Sequence, residues 1–169
     1  NVALHNGVVY VPISSNQEFT VSFRPEASCC SFRGMIVAFD VKTGKKLWKT
    51  SLIDEPLQEL GPNAKGVMRY GPSGVAVWSV PTIDIKRQLL YVTTANQLTE
   101  PRVEESDAVV ALDLNTGKKQ WVKSLVPAAY QQGDIWNSGC ESEMMFNESE
   151  SHCPPVNVKH EGDREIGAP

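Results

Sequence analysis

The sequence lacks a basic block. Its 16 Lys and Arg are outnumbered by 20 Asp and Glu, for a formal net charge of -4. Nucleic acid and anionic membrane surfaces are therefore poor partner choices. No apolar run approaches the ~18–20 residues that a membrane-spanning helix needs. No secretory leader is visible. No segment keeps a helical period over three or more turns. Zinc-like Cys-x-x-Cys spacing is missing, and so is the Cys-x-x-Cys-His of haem attachment. The chain opens on Asn1-Val2-Ala3 and stops at Gly167-Ala168-Pro169, where another strand should begin, so it reads as truncated at both ends.

Four cysteines are present: the adjacent Cys29 and Cys30, then Cys140 and Cys153. They are either reduced thiols or, the favoured reading, two disulfides of an oxidising compartment, Cys29 with Cys30 and Cys140 with Cys153. Asn147-Glu148-Ser149 fits a glycosylation sequon, which matters only in a eukaryotic secretory protein.

What is present is a repeat. Met35-Ile-Val-Ala-Phe-Asp40-Val-Lys-Thr43-Gly44-Lys-Lys-Leu-Trp48 aligns without a gap to Ala108-Val-Val-Ala-Leu-Asp113-Leu-Asn-Thr116-Gly117-Lys-Lys-Gln-Trp121. Self-similarity at a fixed spacing signals an array of like units. Each copy reads as a hairpin. An apolar run makes one strand, Asp leads into a Thr-Gly turn where Gly takes positive φ, and a second strand ends in Trp. The indole is large enough to cover a neighbouring unit.

Other strand signals surround the repeat: Gly7–Ile13, Val75–Ile83 and Gln88–Thr94. In the second unit Trp78–Ile83 reads as the inner strand, Gln88–Thr94 as the next, and the repeat supplies the outer two. Four antiparallel strands are the content of one propeller blade. The first unit matches from its second strand onward, and Ile166–Pro169 resembles Ser79–Pro81, so a third unit is starting. The fold class expected is all-β, a partial propeller of four-stranded antiparallel blades, with 1–169 holding about two blades plus the start of a third. Pro12–Arg33, Asp54–Gly74 and the polar Pro127–Gly162 read as long loops, which in a repeat array gather on one face and carry function.

Ala-x-Asp-x-x-Thr-Gly-x-x-x-Trp, at Ala38–Trp48 and Ala111–Trp121, resembles the tryptophan docking motif of the eight-bladed propeller quinoproteins. Those enzymes carry pyrroloquinoline quinone (PQQ) and oxidise alcohols. Three longer segments are similar to the polyvinyl-alcohol dehydrogenase branch of that family: Cys29–Gly34, Gly71–Asp84 and Gly133–Cys140. The resemblance covers almost the whole chain.

The resemblance implies a set of site residues. Trp78, six residues before Asp84, corresponds to the indole that walls the quinone pocket, where a flat ring can stack. Asn96, in Tyr91-Val-Thr-Thr-Ala95-Asn96, corresponds to a calcium-ligating Asn, with Ala95 where the family has Gly. Ser15 and Glu18, as Ser-x-x-Glu, correspond to a quinone contact and a second calcium ligand. Cys29 and Cys30 correspond to a vicinal disulfide over the other quinone face. Arg33 either binds a quinone carboxylate or anchors its loop to a neighbouring blade. The base corresponds to Asp163, with Glu165, which stands where relatives have Asp, as the second candidate.

The implied chemistry is alcohol oxidation with PQQ and Ca2+ as cofactors: calcium polarises the quinone, a carboxylate takes the hydroxyl proton, and a hydride passes to the quinone. The implied partners are an alcohol, polymeric alcohols included, and cytochrome c or another electron acceptor. The implied location is periplasmic or secreted. The competing reading is a cofactor-free scaffold for protein–protein interaction, which needs the Trp motif but not Cys29-Cys30, Trp78 or Asn96. Two blades cannot close a ring, so the isolated chain is expected to be unstable or aggregation-prone and inactive.

Overall fold

The computed structural model describes residues 1–15, 17, 24, 26–63 and 66–125. Twelve strands follow in order: β1 (Ala3–His5), β2 (Val8–Ile13), β3 (Met35–Asp40), β4 (Lys46–Ser51), β5 (Gln58–Pro62), β6 (Met68–Gly71), β7 (Ser73–Gly74), β8 (Thr82–Asp84), β9 (Leu89–Thr93), β10 (Gln97–Thr99), β11 (Ala108–Asp113) and β12 (Lys119–Ser124). They make two four-stranded antiparallel sheets, β1-β2-β3-β4 and β8-β9-β11-β12, each a blade as the repeat implies. Two small antiparallel pairs complete the strands: β5-β6 lies between the blades in sequence, and β7-β10 joins a strand from that connection to one inserted between β9 and β11.

The blade hairpins follow from turn chemistry. Asp40 Oδ1 accepts hydrogen bonds from the Lys42 and Thr43 amides (3.1 and 2.8 Å) and from Thr43 Oγ1 (2.7 Å). Asp113 Oδ1 repeats this with the Asn115 and Thr116 amides (3.0 and 2.8 Å) and Thr116 Oγ1 (2.8 Å). Gly44 and Gly117 then take φ of 67° and 72°, which ordinary side chains resist. The hydroxyl of Thr43 or Thr116, then the turn amides, hold each Asp carboxyl below its usual range.

The core lies between the blades. Ile36 and Ala38 on β3, Leu90 and Val92 on β9, and Val110 and Leu112 on β11 belong to one buried cluster with Leu52, Ile53, Val75 and Val77. Residues two apart share a face of a strand, so the apolar alternation builds this layer directly.

Polar contacts lock the same interface. A Cβ on Gly117 would run into the Trp48 ring, so glycine lets the indole of one blade lie on the turn of the next. Thr50 Oγ1 donates to Gly117 O at 2.7 Å, and the Tyr10 hydroxyl to Leu114 O at 3.3 Å. Lys119 Nζ reaches across to Leu52 O (2.9 Å) and Asp54 (2.8 Å), and also meets Glu105 at 2.5 Å.

Three readings of the sequence need correction. The first blade does not begin at its second strand: β1 precedes it, joined to β2 by an Asn6-Gly7 turn with φ of 46° and 75°. That turn matches the twist of a two-residue hairpin, and Asn-Gly is its strongest sequence signal. The inner strand of the second blade is only Thr82–Asp84. Trp78–Pro81 stands outside it, because residues 73–76 are drawn away to pair with 95–99. The Asp54–Gly74 loop contains the β5–β6 hairpin, with a register shift between Glu59 and Gly61 that its Gly and Pro content disguised.

Candidate functional site

A cleft opens where four separated segments meet. Ser15, Phe32, Gly74, Ala76, Trp78, Ala95, Asn96 and Leu98 line a volume of about 270 Å³, counting its solvent-open mouth. Ser15 follows β2, Phe32 follows the cysteine pair, and the rest come from the β7–β10 region.

The β7–β10 pairing positions the cleft floor. Gly74 pairs with Gln97, and a Cβ on Gly74 would sit 2.5 Å from Leu98 N and 3.0 Å from Asn96 O. Only glycine allows that approach, and its φ of +103° is equally restrictive. Val75 N donates to Asn96 O at 3.0 Å, and Ala95 N to Ala76 O at 2.8 Å. Val75 is fully buried at φ 54°. A β-branched residue in the left-handed region is strained, and such strain persists only where surrounding packing fixes it. These contacts bring Ala76 beside Ala95 and Val75 beside Asn96, so two lining segments are one unit.

Trp78 is 42% exposed and lines the cleft, so part of its surface is available there. A hydrogen bond of 2.7 Å between Ser79 Oγ and Thr93 Oγ1 ties the following residue to β9. Asp84, six residues on, ends β8 and caps the turn after it: its carboxylate accepts from the Arg87 guanidinium and amide (2.8 and 2.9 Å). Hydrogen bonding from Arg87 holds that carboxyl below its usual range.

Cys29 and Cys30 are bonded to each other as a vicinal disulfide with Cα atoms 3.0 Å apart. Both are buried and pack with Leu98, a lining residue. Tyr70 N donates to Cys29 O at 3.0 Å, so β6 carries the disulfide. Arg33 follows. Its backbone bridges Gly74, and its Nη1 donates to Glu55 O at 2.6 Å, while Nε and Nη2 are buried and unpartnered. One edge of the guanidinium thus anchors the loop past the first blade, and the other has no hydrogen-bond partner among the described residues.

Of the residues singled out in the sequence, Ser15, Trp78 and Asn96 share the cleft, with Cys29-Cys30 against its Leu98 wall. Arg33 is one residue from the lining Phe32 but is not itself a lining residue. Glu18, Asp163 and Glu165 lie outside the described residues, as do Cys140 and Cys153. Among the described residues no three His, Cys, Asp or Glu gather to hold a metal. The oxygens available at the cleft are the Asn96 amide and the Ser15 hydroxyl, hard donors of the kind calcium takes.

Gln17 is a residue that sequence reasoning missed. Its Oε1 accepts from the Ser31 and Phe32 amides at 3.0 and 2.7 Å, and its backbone N donates to Ser15 Oγ at 3.0 Å. It couples the strand end bearing Ser15 to the cysteine loop. Phe32, Gly74, Ala76 and Leu98 were missed as lining too, although Phe32, Gly74 and Ala76 fall inside segments already noted for their resemblance.

Residues 19–145 match the family described as PQQ, glucose/ethanol/alcohol dehydrogenase, beta-propeller domain. This chain belongs to the PQQ β-propeller family. A polyvinylalcohol dehydrogenase of a Pseudomonas species is 43% identical to this PQQ β-propeller chain over 121 residues, 72% of this chain and 19% of that protein. A polyvinylalcohol dehydrogenase of Sphingopyxis sp. (strain 113P3) is 38% identical over 141 residues, 83% of this chain and 21% of that protein. The chain thus spans about a fifth of these relatives. A crystal structure of quinohemoprotein alcohol dehydrogenase from Comamonas testosteroni superimposes with a TM-score of 0.48 and 19% identity, over 75% of this chain and 20% of that one.

Proposed function

We propose that this chain is part of a quinoprotein dehydrogenase that oxidises alcohols with PQQ and Ca2+, and that its cleft is one wall of the quinone site. The observation that carries the reading is the convergence of Trp78, Asn96 and Ser15 on one cleft backed by a vicinal disulfide. A scaffold needs blade docking but no such convergence.

The residues fit the group. Trp78 offers a half-exposed ring for stacking on a flat quinone. The buried, unpartnered Nε–Nη2 edge of Arg33 has the fork geometry that takes a carboxylate in two parallel hydrogen bonds. Asn96 and Ser15 supply oxygen, and Glu18, three residues beyond Ser15, would add a carboxylate. When bound, PQQ with its calcium supplies the electrophile that accepts a hydride from the alcohol carbon. The protein orients that electrophile, and Asp163, or Glu165 in its place, takes the hydroxyl proton. Electrons leave to cytochrome c or another acceptor.

The substrate proposed is a secondary alcohol, carried on a polymer as in the polyvinylalcohol dehydrogenases that this chain resembles. The location proposed is extracytoplasmic, which suits the Cys29–Cys30 disulfide. The eight-bladed parent would take this chain as two blades plus the start of a third. The test is reconstitution of the complete protein with PQQ and Ca2+. A bound-quinone absorbance and dye reduction with poly(vinyl alcohol) or a short secondary alcohol are expected. Neither signal with any alcohol sinks the proposal.

A further inference from the structure

Asn96 stands immediately before a segment held by one buried side chain. Gln97 has no exposed surface. Its Oε1 accepts from Val103 N at 2.9 Å. Its Nε2 donates to Thr99 O at 2.5 Å and also to Pro101 O. Its backbone N donates to Ser106 Oγ (2.9 Å), and Ser106 Oγ donates to Asp107 Oδ2 (2.7 Å). A single amide therefore closes the 97–103 loop by satisfying three backbone groups that the loop would otherwise bury unpaired. Thr99 fastens the far end: its Oγ1 lies 2.6 Å from Ser73 Oγ and donates to Tyr70 O at 2.7 Å. The Asn96 side chain, by contrast, makes no hydrogen bond to another described residue, so its direction is set by the backbone on either side. Val75 N holds that backbone from below, and Gln97 holds it from the loop.

We infer that Gln97 is a positioning residue for Asn96: its amide fixes the loop so that the Asn96 carboxamide is presented to the cleft as an oxygen ligand for a hard divalent cation. The inference rests on the proposed reading of the cleft as a calcium and quinone site. Gln97 touches neither ion nor quinone. It acts in the manner of groups that orient a metal ligand, whose loss costs about 10–100-fold in metal affinity.

The test uses the complete protein stripped of metal and titrated with Ca2+, with displacement of Tb3+ luminescence sensitised by Trp78 as the readout. Gln97→Met is expected to raise half-saturating Ca2+ by about tenfold or more. Asn96→Ala is expected to do the same, and the double variant to lose no more than Asn96→Ala alone, because Gln97 acts only through Asn96. Val110→Ala, a core deletion on β11, should lower the thermal midpoint without moving the Ca2+ titration. If Gln97→Met does not fold, Ser106→Ala removes the acceptor of the Gln97 backbone N, the other hydrogen bond that holds Gln97 in the loop, and runs the same cycle. Additive losses overturn the inference. So does an unchanged titration in folded Gln97→Met, or in Ser106→Ala where that variant stands in, or a Val110→Ala shift as large as that of Gln97→Met. Wild-type protein that takes up no Ca2+ sinks the cleft reading and this inference together. Uptake by wild type with no effect at Gln97 sinks the inference alone.

Discussion

Trp78 and Lys119 show two different uses of a large side chain. Trp78 is 42% exposed, so Trp78→Ala should lower the thermal midpoint of the complete protein less than truncation of a fully buried side chain such as Leu90. The same change should weaken PQQ binding about threefold to tenfold, the worth of an aromatic contact of ~0.5–1.5 kcal/mol. A PQQ titration beside a melt checks both halves, and a large loss of stability would place the ring in the core instead. Lys119 is the reverse case. Burial pulls its ammonium down, but hydrogen bonds and charge from Asp54 and Glu105 outweigh this and leave its pKa raised. A group with a raised folded pKa contributes fully below its unfolded value of ~10.4, and the contribution fades as pH rises through the folded value. The turn carboxylates Asp40 and Asp113 are depressed, so their contribution is complete above ~4 and fades as pH falls through their folded values. Melts should therefore be insensitive to these groups from about pH 5 to 9. Lys119→Met leaves Glu105 buried beside no cation and should cost on the order of 3 kcal/mol, with Lys119→Met/Glu105→Leu recovering much of it. Equal melts for the single and double variants would contradict the latch. At this scale Trp78 and Asn96 were legible because each sits at a fixed place in a recognisable segment. Gln17 and Gln97 were not. A buried glutamine is defined by which backbone groups the folded loops bring to it, and no spacing announces that.

Among the elements, the repeat hairpins were the most legible. Period-two apolar runs and the Asp-x-x-Thr-Gly turn are both local, so each hairpin is encoded within its own stretch of sequence. β1 was legible in principle through Asn6-Gly7 but too short to stand out beside a chain end. The shortened β8 was not, because Val75–Val77 has a strand-like composition, yet Val75 and Ala76 are diverted toward Ala95 and Asn96, partners distant in sequence. The β5–β6 hairpin was hidden because Gly61 sits inside a strand at φ 87°. The joint between the elements can be probed at Gly117. Gly117→Ala meets the left-handed penalty of roughly 1–2 kcal/mol and a collision with Trp48 and Thr50 as well. It should lower the thermal midpoint more than Gly7→Ala, where the φ is similar (75°) but no described atom lies within reach of a new methyl group. Coincident melts would mean that Trp48 does not seat on that turn.

For the whole molecule, the core between the blades is the product of stacking, and neither sheet could bury its face alone. The sequence showed this architecture because repetition itself is visible, and it showed the site only in pieces because the cleft is assembled from four segments. The seat of Trp48 on Gly117 also has a direction. One blade offers a plug and the next offers a socket. Among the described residues Gly44 is a bare socket at one end, with nothing within 4 Å of where its side chain would begin, and Trp121 is a plug left 43% exposed at the other. Through these two described surfaces, copies of this chain made alone would join head to tail, a contact that need not close. Sedimentation velocity should show species that lengthen with concentration, and Gly44→Arg, by blocking the socket, should act as a chain terminator when mixed with wild type. A monodisperse monomer at every concentration would refute it. The docking motif is in this sense a polarity as well as a clasp: it determines which neighbour a blade can accept on each side, and so the order in which a ring can be assembled.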